Sequence, residues 1–170
     1  MFLTKTCSIE DCWNTQISEY VKSTSTGDVY SIGMDTVHNV QNDDFTLIFD
    51  FKSTSMGGVL CVGAKSQWDD SNNTANYRLF MGNNDNSNRS LYYGYRTTTT
   101  SANNSSNRTA DHWYNMKIVR EGTSIKYYID NTLINSQSVS FISNYDEWSI
   151  YGIGWGSTTI TFKNIRLKPL

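Results

Sequence analysis

The chain has 170 residues, 18% of them charged, with a formal net charge of −2. That length suits one domain with a substantial core, 1–170, and the near-neutral balance argues against a broad basic surface and so against a nucleic-acid partner. No apolar run approaches the ~18 residues of a membrane-crossing helix, so membrane insertion is not expected.

Residues 1–42 read as N-terminal strands and loops. Lys5 and the acidic pair Glu10–Asp11 come too early for the apolar core of a secretory signal, which leaves export unassigned. Cys7 and Cys12 are close enough in sequence to form a disulfide across a tight turn, or else stay reduced. Cys61, within "GGVLCVGA", reads as a small buried hydrophobe. His38 and His112 stand alone in separate segments, which gives zinc no ligand set.

From Asp43 onward the pattern is clear. In "DDFTLIFDFKS", Phe45, Leu47, Phe49 and Phe51 alternate with Thr46, Ile48, Asp50 and Lys52, so one strand face is wholly apolar. "GGVLCVGAKS", "ANYRLFMGN" and "RSLYYGYRTTT" follow as short aromatic or β-branched runs bounded by Gly, Asn, Asp or Ser, and each reads as a strand. The segment from His112 to Val139 reads as a three-strand meander with turns at Glu121–Gly122 and Asp130–Asn131, its apolar sides set by Tyr114, Met116, Ile118 and by Ile125, Tyr127, Ile129.

"SFISNYDEWSIYGIGWG" brings in a further strand, with room in "ISNYDEW" for one turn of helix. The closing "STTITFKNIRLKPL" alternates through Ile160 and Phe162, shifts register near Lys163–Asn164, and resumes with Ile165 and Leu167. "QWDDSNNTAN", "NNDNSNRS" and "TTTTSANNSSNRTAD" read as exposed loops, and Asn-x-Ser/Thr triplets begin at Asn72, Asn88, Asn103, Asn104 and Asn107. No apolar stripe holds helical spacing over three turns. An all-β chain of antiparallel strands, each with one face to bury, stacks two sheets as a β-sandwich or jelly roll.

The order "FTLIFDFK", then "WYNMKIVREGTSIKYYIDN", then "GIGWG…ITFKNIRL" resembles the concanavalin A-like lectin/glucanase superfamily, which includes laminin G-like domains and many carbohydrate-binding modules. The resemblance covers about residues 43–170. It implies a concave and a convex sheet, a sugar site on the concave face or along a loop edge, and, in the oxygen-rich loops "WDDSNN" and "NNDNSN", structural calcium. The superfamily's glucanases carry alternating acidic residues on one strand. Here the acidic neighbours Asp43–Asp44, Asp69–Asp70 and Asp146–Glu147 are adjacent, and so point to opposite faces of any strand.

Sugar recognition uses flat rings against C–H faces and planar polar groups against hydroxyls. The candidate platform is Trp68, Tyr92, Tyr95 and Trp155, with Asp69, Asp70, Arg78, Asn83, Asn84, Asp85 and Arg96 as polar partners. Trp155, flanked by glycines, suits core packing as well as ligand contact, whereas Tyr93, Trp113 and Tyr127 are assigned to the core. The expectation is a non-catalytic lectin-like module for cell-surface or cell-wall glycan, part of an adhesin or a phage or viral tail fibre, extracellular or on a virion. The rivals are a structural spacer or homo-oligomer interface, and a glycoside hydrolase.

Overall fold

The computed structural model describes residues 6–7, 17–24, 28–31, 36–38, 44–54, 57–64, 78–83, 90–96, 101–107, 109–139, 147–154 and 158–170. Among them every regular element is a strand: β1 (Thr6–Cys7), β2 (Ile17–Thr24), β3 (Asp28–Ser31), β4 (Thr36–His38), β5 (Phe45–Ser53), β6 (Gly58–Ala64), β7 (Arg78–Asn83), β8 (Ser90–Arg96), β9 (Ser101–Asn107), β10 (Tyr114–Glu121), β11 (Ser124–Ile129), β12 (Thr132–Ser138), β13 (Glu147–Gly154) and β14 (Thr158–Pro169). They form two stacked sheets. One has six strands in the order β12-β11-β10-β5-β14-β2; the other has eight, β1-β4-β13-β6-β7-β8-β9 with β3 also paired to β13. All pairings are antiparallel except the short β1–β4 contact.

Alternation decides which side of each strand faces the gap between the sheets. The six-stranded sheet contributes Phe45, Leu47, Phe49, Phe51, Met116, Ile118, Ile125, Tyr127, Ile160, Phe162, Ile165 and Leu167, all fully buried. Leu60, Val62, Leu79, Met81, Leu91, Tyr93 and Ile150 meet them from the eight-stranded sheet. Each fully buried side chain of this size stabilises the fold by about 1.5–3 kcal/mol relative to leaving it in water.

The local turn chemistry agrees with the sequence. Asp130 and Asn131 both have positive φ, 48° and 63°, as a two-residue type I′ hairpin turn requires. Gly122, φ 58°, occupies the first central position of the β10–β11 turn, where a type II′ turn needs glycine. In β14 the register shifts between Lys163 and Arg166, and Asn164 takes up the extra residue at φ 53° while donating from Nδ2 to Asp50 Oδ2 at 2.7 Å. This bulge lets Phe162 and Ile165, an odd number of residues apart, both face the core.

Three expectations need correction. The segment Ser101–Asn107 is not loop but an edge strand on β8; backbone pairing to an existing sheet overrides its polar composition. Trp113 is not in the core: its neighbour Tyr114 faces inward, and the Trp113 ring lies outside the six-stranded sheet beneath the Nζ atoms of Lys163 (3.8 Å to the centroid) and Lys52 (5.0 Å). Asn83, at 0% exposure, is sealed between the sheets and donates from Nδ2 to Ser53 Oγ of β5 at 3.3 Å, a polar tie from one sheet to the other. Cys61 is buried as expected; Cys12 and most of "ISNYDEW" lie outside the described residues, and the side chain of Cys7 is likewise not described.

The fully buried Tyr127 hydroxyl has no hydrogen-bond partner among the described residues, and the Tyr93 ring stacks 5.2 Å from its own. Burial, with smaller contributions from the Tyr95 and Tyr93 phenols, pushes the Tyr127 phenol well above 10.0. Because the folded pKa is raised, the stabilisation is full below the unfolded pKa of about 10 and is lost as pH climbs through the folded value, since the unfolded chain ionises first. Tyr127→Phe is therefore expected to raise the unfolding free energy by about 1 kcal/mol near pH 7 and to flatten the alkaline decline. Urea unfolding at about pH 7 and about pH 11 checks both.

Candidate functional site

With one sheet face committed to the core, the outer face of the eight-stranded sheet holds the alternate residues. Reading across β6, β7, β8 and β9, one row is Val59, Gly82, Tyr92 and Asn104, the next is Cys61, Phe80, Gly94 and Ala102, and the third brings Gly63, Arg78 and Arg96 together. On β13, Ile153, Tyr151 and Ser149 extend the same three rows.

The rows explain a ring pair. Phe80 stands opposite Gly94 and Tyr92 opposite Gly82, so each ring faces a glycine rather than a side chain. The two rings lean along the diagonal and meet at 4.9 Å between centroids with a 36° tilt. A diagonal contact of this kind lies within reach of aromatic side chains on a pleated surface, and the geometry adds about 0.5–1.5 kcal/mol to what burial alone provides.

Gly82 has a second reason to be glycine. A Cβ there would sit 2.3 Å from the Gly58 carbonyl oxygen and 2.7 Å from Val59 Cα. The backbone of β6 thus approaches β7 where no side chain fits, which keeps the floor beside Tyr92 low.

Exposure divides this face. Val59, Cys61 and Phe80 are at most 3% exposed, whereas Tyr92 is half-buried. The accessible part of the ring pair is therefore its Tyr92 side, toward β9. Arg78 and Arg96, backbone partners of one another, occupy the row beyond Phe80, four residues along β8 from Tyr92.

Of the residues expected from sequence to form a platform, the fold places Tyr92, Arg78 and Arg96 at positions of this one face. Tyr95 belongs to the opposite parity: it pairs with Leu79 and packs half-buried against the core. Asn83 is likewise inside. Trp68, Asp69, Asp70, Asn84, Asp85 and Trp155, and both oxygen-rich loops, lie outside the described residues. Phe80 was missed. The signal for it was present, since Arg78, Phe80 and Gly82 share one parity and Leu79 and Met81 the other.

The carboxylates of Asp44, Asp50, Asp111, Glu121 and Asp130 lie on the six-stranded sheet or its turns, while Asp28 of β3 and Glu147 of β13 are acidic positions of the eight-stranded sheet. Several are committed to hydrogen bonds: Asp50 accepts from Asn115 and Asn164, Asp130 from the Asn115 N–H, and Asp44 from the Gly122 N–H. No group of three or more metal-ligating side chains occurs among the described residues. Among the described residues there is no helix long and apolar enough to cross a membrane.

No known family profile matches the chain, and no curated protein matches it. Solved structures do. The carbohydrate-binding module CBM66 from Bacillus subtilis aligns over 96% of this chain and 99% of its own, with a TM-score of 0.55 and 14% identity. A functionally unknown protein from Saccharomyces cerevisiae aligns over 90% and 89%, with a TM-score of 0.61 and 9% identity. The marine PL7 alginate lyase AlyA1 from Zobellia galactanivorans gives a TM-score of 0.53 at 13% identity; 81% of this chain aligns with it and spans 66% of the lyase. At such identities the likeness is one of fold alone: a sandwich of two largely antiparallel sheets, shared with these carbohydrate-binding and carbohydrate-cleaving proteins.

Proposed function

We propose that this chain acts as one non-catalytic carbohydrate-binding domain that takes a glycan of a cell surface or cell wall against the outer face of its eight-stranded sheet. Tyr92 is the stacking ring, Phe80 its fixed backing, and Arg78 and Arg96 the planar donors for hydroxyls. The observation that carries this reading is the Phe80–Tyr92 diagonal set against two glycines, with the arginine pair in the next row. A ring backed by a second ring on a paired strand can stack on a sugar with little loss of side-chain freedom. The end-to-end alignment with a carbohydrate-binding module supports binding, while the lyase and glucanase neighbours keep polysaccharide as the common substrate class.

Such a face gives modest affinity at one site, and several copies on an adhesin or a phage or viral tail fibre outside the cell multiply it by effective concentration. A glycan array probed with a multivalent form of the domain tests the proposal. Binding is expected, falling about tenfold in Tyr92→Ala and largely kept in Tyr92→Phe. An array with no signal, or equal signal from Tyr92→Ala, defeats it.

A further inference from the structure

The outer face of the six-stranded sheet carries a separate chemistry. Its residues follow from the register of β11, β10, β5 and β14. Trp113, Lys52 and Thr161 neighbour a row made of Asn115, Asp50 and Lys163; next come Tyr128, Lys117, Ile48 and Arg166, then Lys126, Val119, Thr46 and Lys168. Six cations thus share one face with three acidic positions, Asp50, Glu121 and Glu19. Glu19 of β2 stands opposite Lys163 at the margin. In a chain whose net charge is −2, this is a marked segregation, and it corrects the expectation of no basic surface: net charge averages over faces that fold apart.

The carboxylates offset only part of it. Glu121 is taken by Lys126 at 2.5 Å, and Asp50 accepts from the Nδ2 atoms of Asn115 (2.8 Å) and Asn164 (2.7 Å). Lys52 and Lys163 rest on Trp113, and Lys117 rests on Tyr128 at 4.2 Å. Among the residues whose side chains are described, none of these three, nor the exposed Arg166, lies within ion-pair distance of a carboxylate. A ring quadrupole steadies an ammonium group without cancelling its charge, so six cations against three acidic positions leave the face a net positive field.

We propose that this face is a second binding surface, for an anionic polysaccharide bearing carboxylate or sulfate groups. The choice over nucleic acid rests on the centre of the patch. Asn115 gives a side-chain Nδ2–H to Asp50, which leaves its Oδ1 as an acceptor beside the Asp50 carboxylate and among cations. A sugar polymer supplies both anions for the cations and hydroxyl donors for these oxygens, whereas a DNA duplex backbone offers phosphate oxygens, which only accept. The predominance of lysine, a point charge, over arginine's bidentate fork agrees with scattered rather than planar anions. A lipid surface gains little here: the apolar residues of the face, Trp113, Tyr128, Ile48 and Val119, are already half-buried, and the exposed Leu133 and Leu170 lie on edge strand β12 and just past the end of β14.

Affinity electrophoresis of the intact chain through polygalacturonate, heparin and dextran, with competition by duplex DNA and by phosphatidylserine vesicles, tests this. Retardation by polygalacturonate or heparin, and not by dextran, is expected, weakening as salt is added. Lys117→Gln with Arg166→Gln should lower the retarding affinity about tenfold and the slope of log affinity against log salt by about two. The single change Arg166→Gln, at an exposed side chain, keeps the test intact if the double variant misfolds. Reading the glycan array and the retardation on the same double variant separates the two sites: retardation lost with array signal kept assigns the loss to this surface. Equal retardation of wild type and variant, or DNA or vesicles displacing the polysaccharide as the stronger ligand, overturns the proposal.

Discussion

Phe162→Ala is expected to lower the unfolding free energy by about 3–5 kcal/mol, the range for an aromatic ring removed from a sealed core. Phe162 is fully buried, pairs with Phe51 in register, and holds its ring 5.5 Å from Phe51 and 6.0 Å from Phe49, edge-on to the latter. It sits on β14, the strand that joins β2 to the rest of the six-stranded sheet. Neither Phe49 nor Phe51 can swing into the space, because each is fixed by its own strand neighbours, so the cavity persists and its lining loses dispersion contacts. Urea unfolding at neutral pH measures the loss, and Phe162→Leu should recover about half of it. A loss under about 1 kcal/mol would mean the site collapses freely, contrary to a close-packed gap.

Gly82→Ala is expected to cost about 3 kcal/mol or more, although it adds one methyl group to a strand. The atoms that methyl would meet, Gly58 O at 2.3 Å, Gly58 C at 3.1 Å and Val59 Cα at 2.7 Å, all belong to backbone and cannot rotate aside. Strand β7 must therefore part from β6, and Phe80, one of the two stacked rings, moves with it. Glycan binding should fall together with thermal stability in this variant, whereas Tyr92→Ala should lose binding with a much smaller fall in melting temperature. Calorimetric melting of the two variants separates a positioning glycine from a contact ring.

The sequence made much of this architecture legible, for identifiable reasons. Strand β5 was plain because its alternation is strict, and the β14 bulge was plain because the apolar parity changes between Phe162 and Ile165. The two hairpin turns were marked by Gly122 and by Asp130–Asn131. Strand β9 was hidden because Ser and Asn dominate it; only the neighbouring β8 edge makes it a strand. On the eight-stranded sheet both faces are buried around Val59, Cys61 and Phe80, so "GGVLCVGA" and "SLYYGYR" show continuous apolar or aromatic runs rather than alternation. Such runs locate a strand without saying which side faces in. That is why Tyr92 and Tyr95 were read alike although they point to opposite faces, and why Asn83 was taken for a loop partner when its parity with Leu79 and Met81 carried it into the core. The basic face escaped notice because its cations come from β5, β10, β11 and β14, far apart in the chain and adjacent only after folding.

The most direct test of the central claim is to map, by backbone amide chemical shifts, where the chain meets an oligosaccharide drawn from the array. The account predicts perturbations concentrated at Tyr92, Gly94 and Asn104, with Phe80 and Gly82 following. Perturbations confined to the outer face of the six-stranded sheet, or spread along loops with β7, β8 and β9 silent, would contradict it.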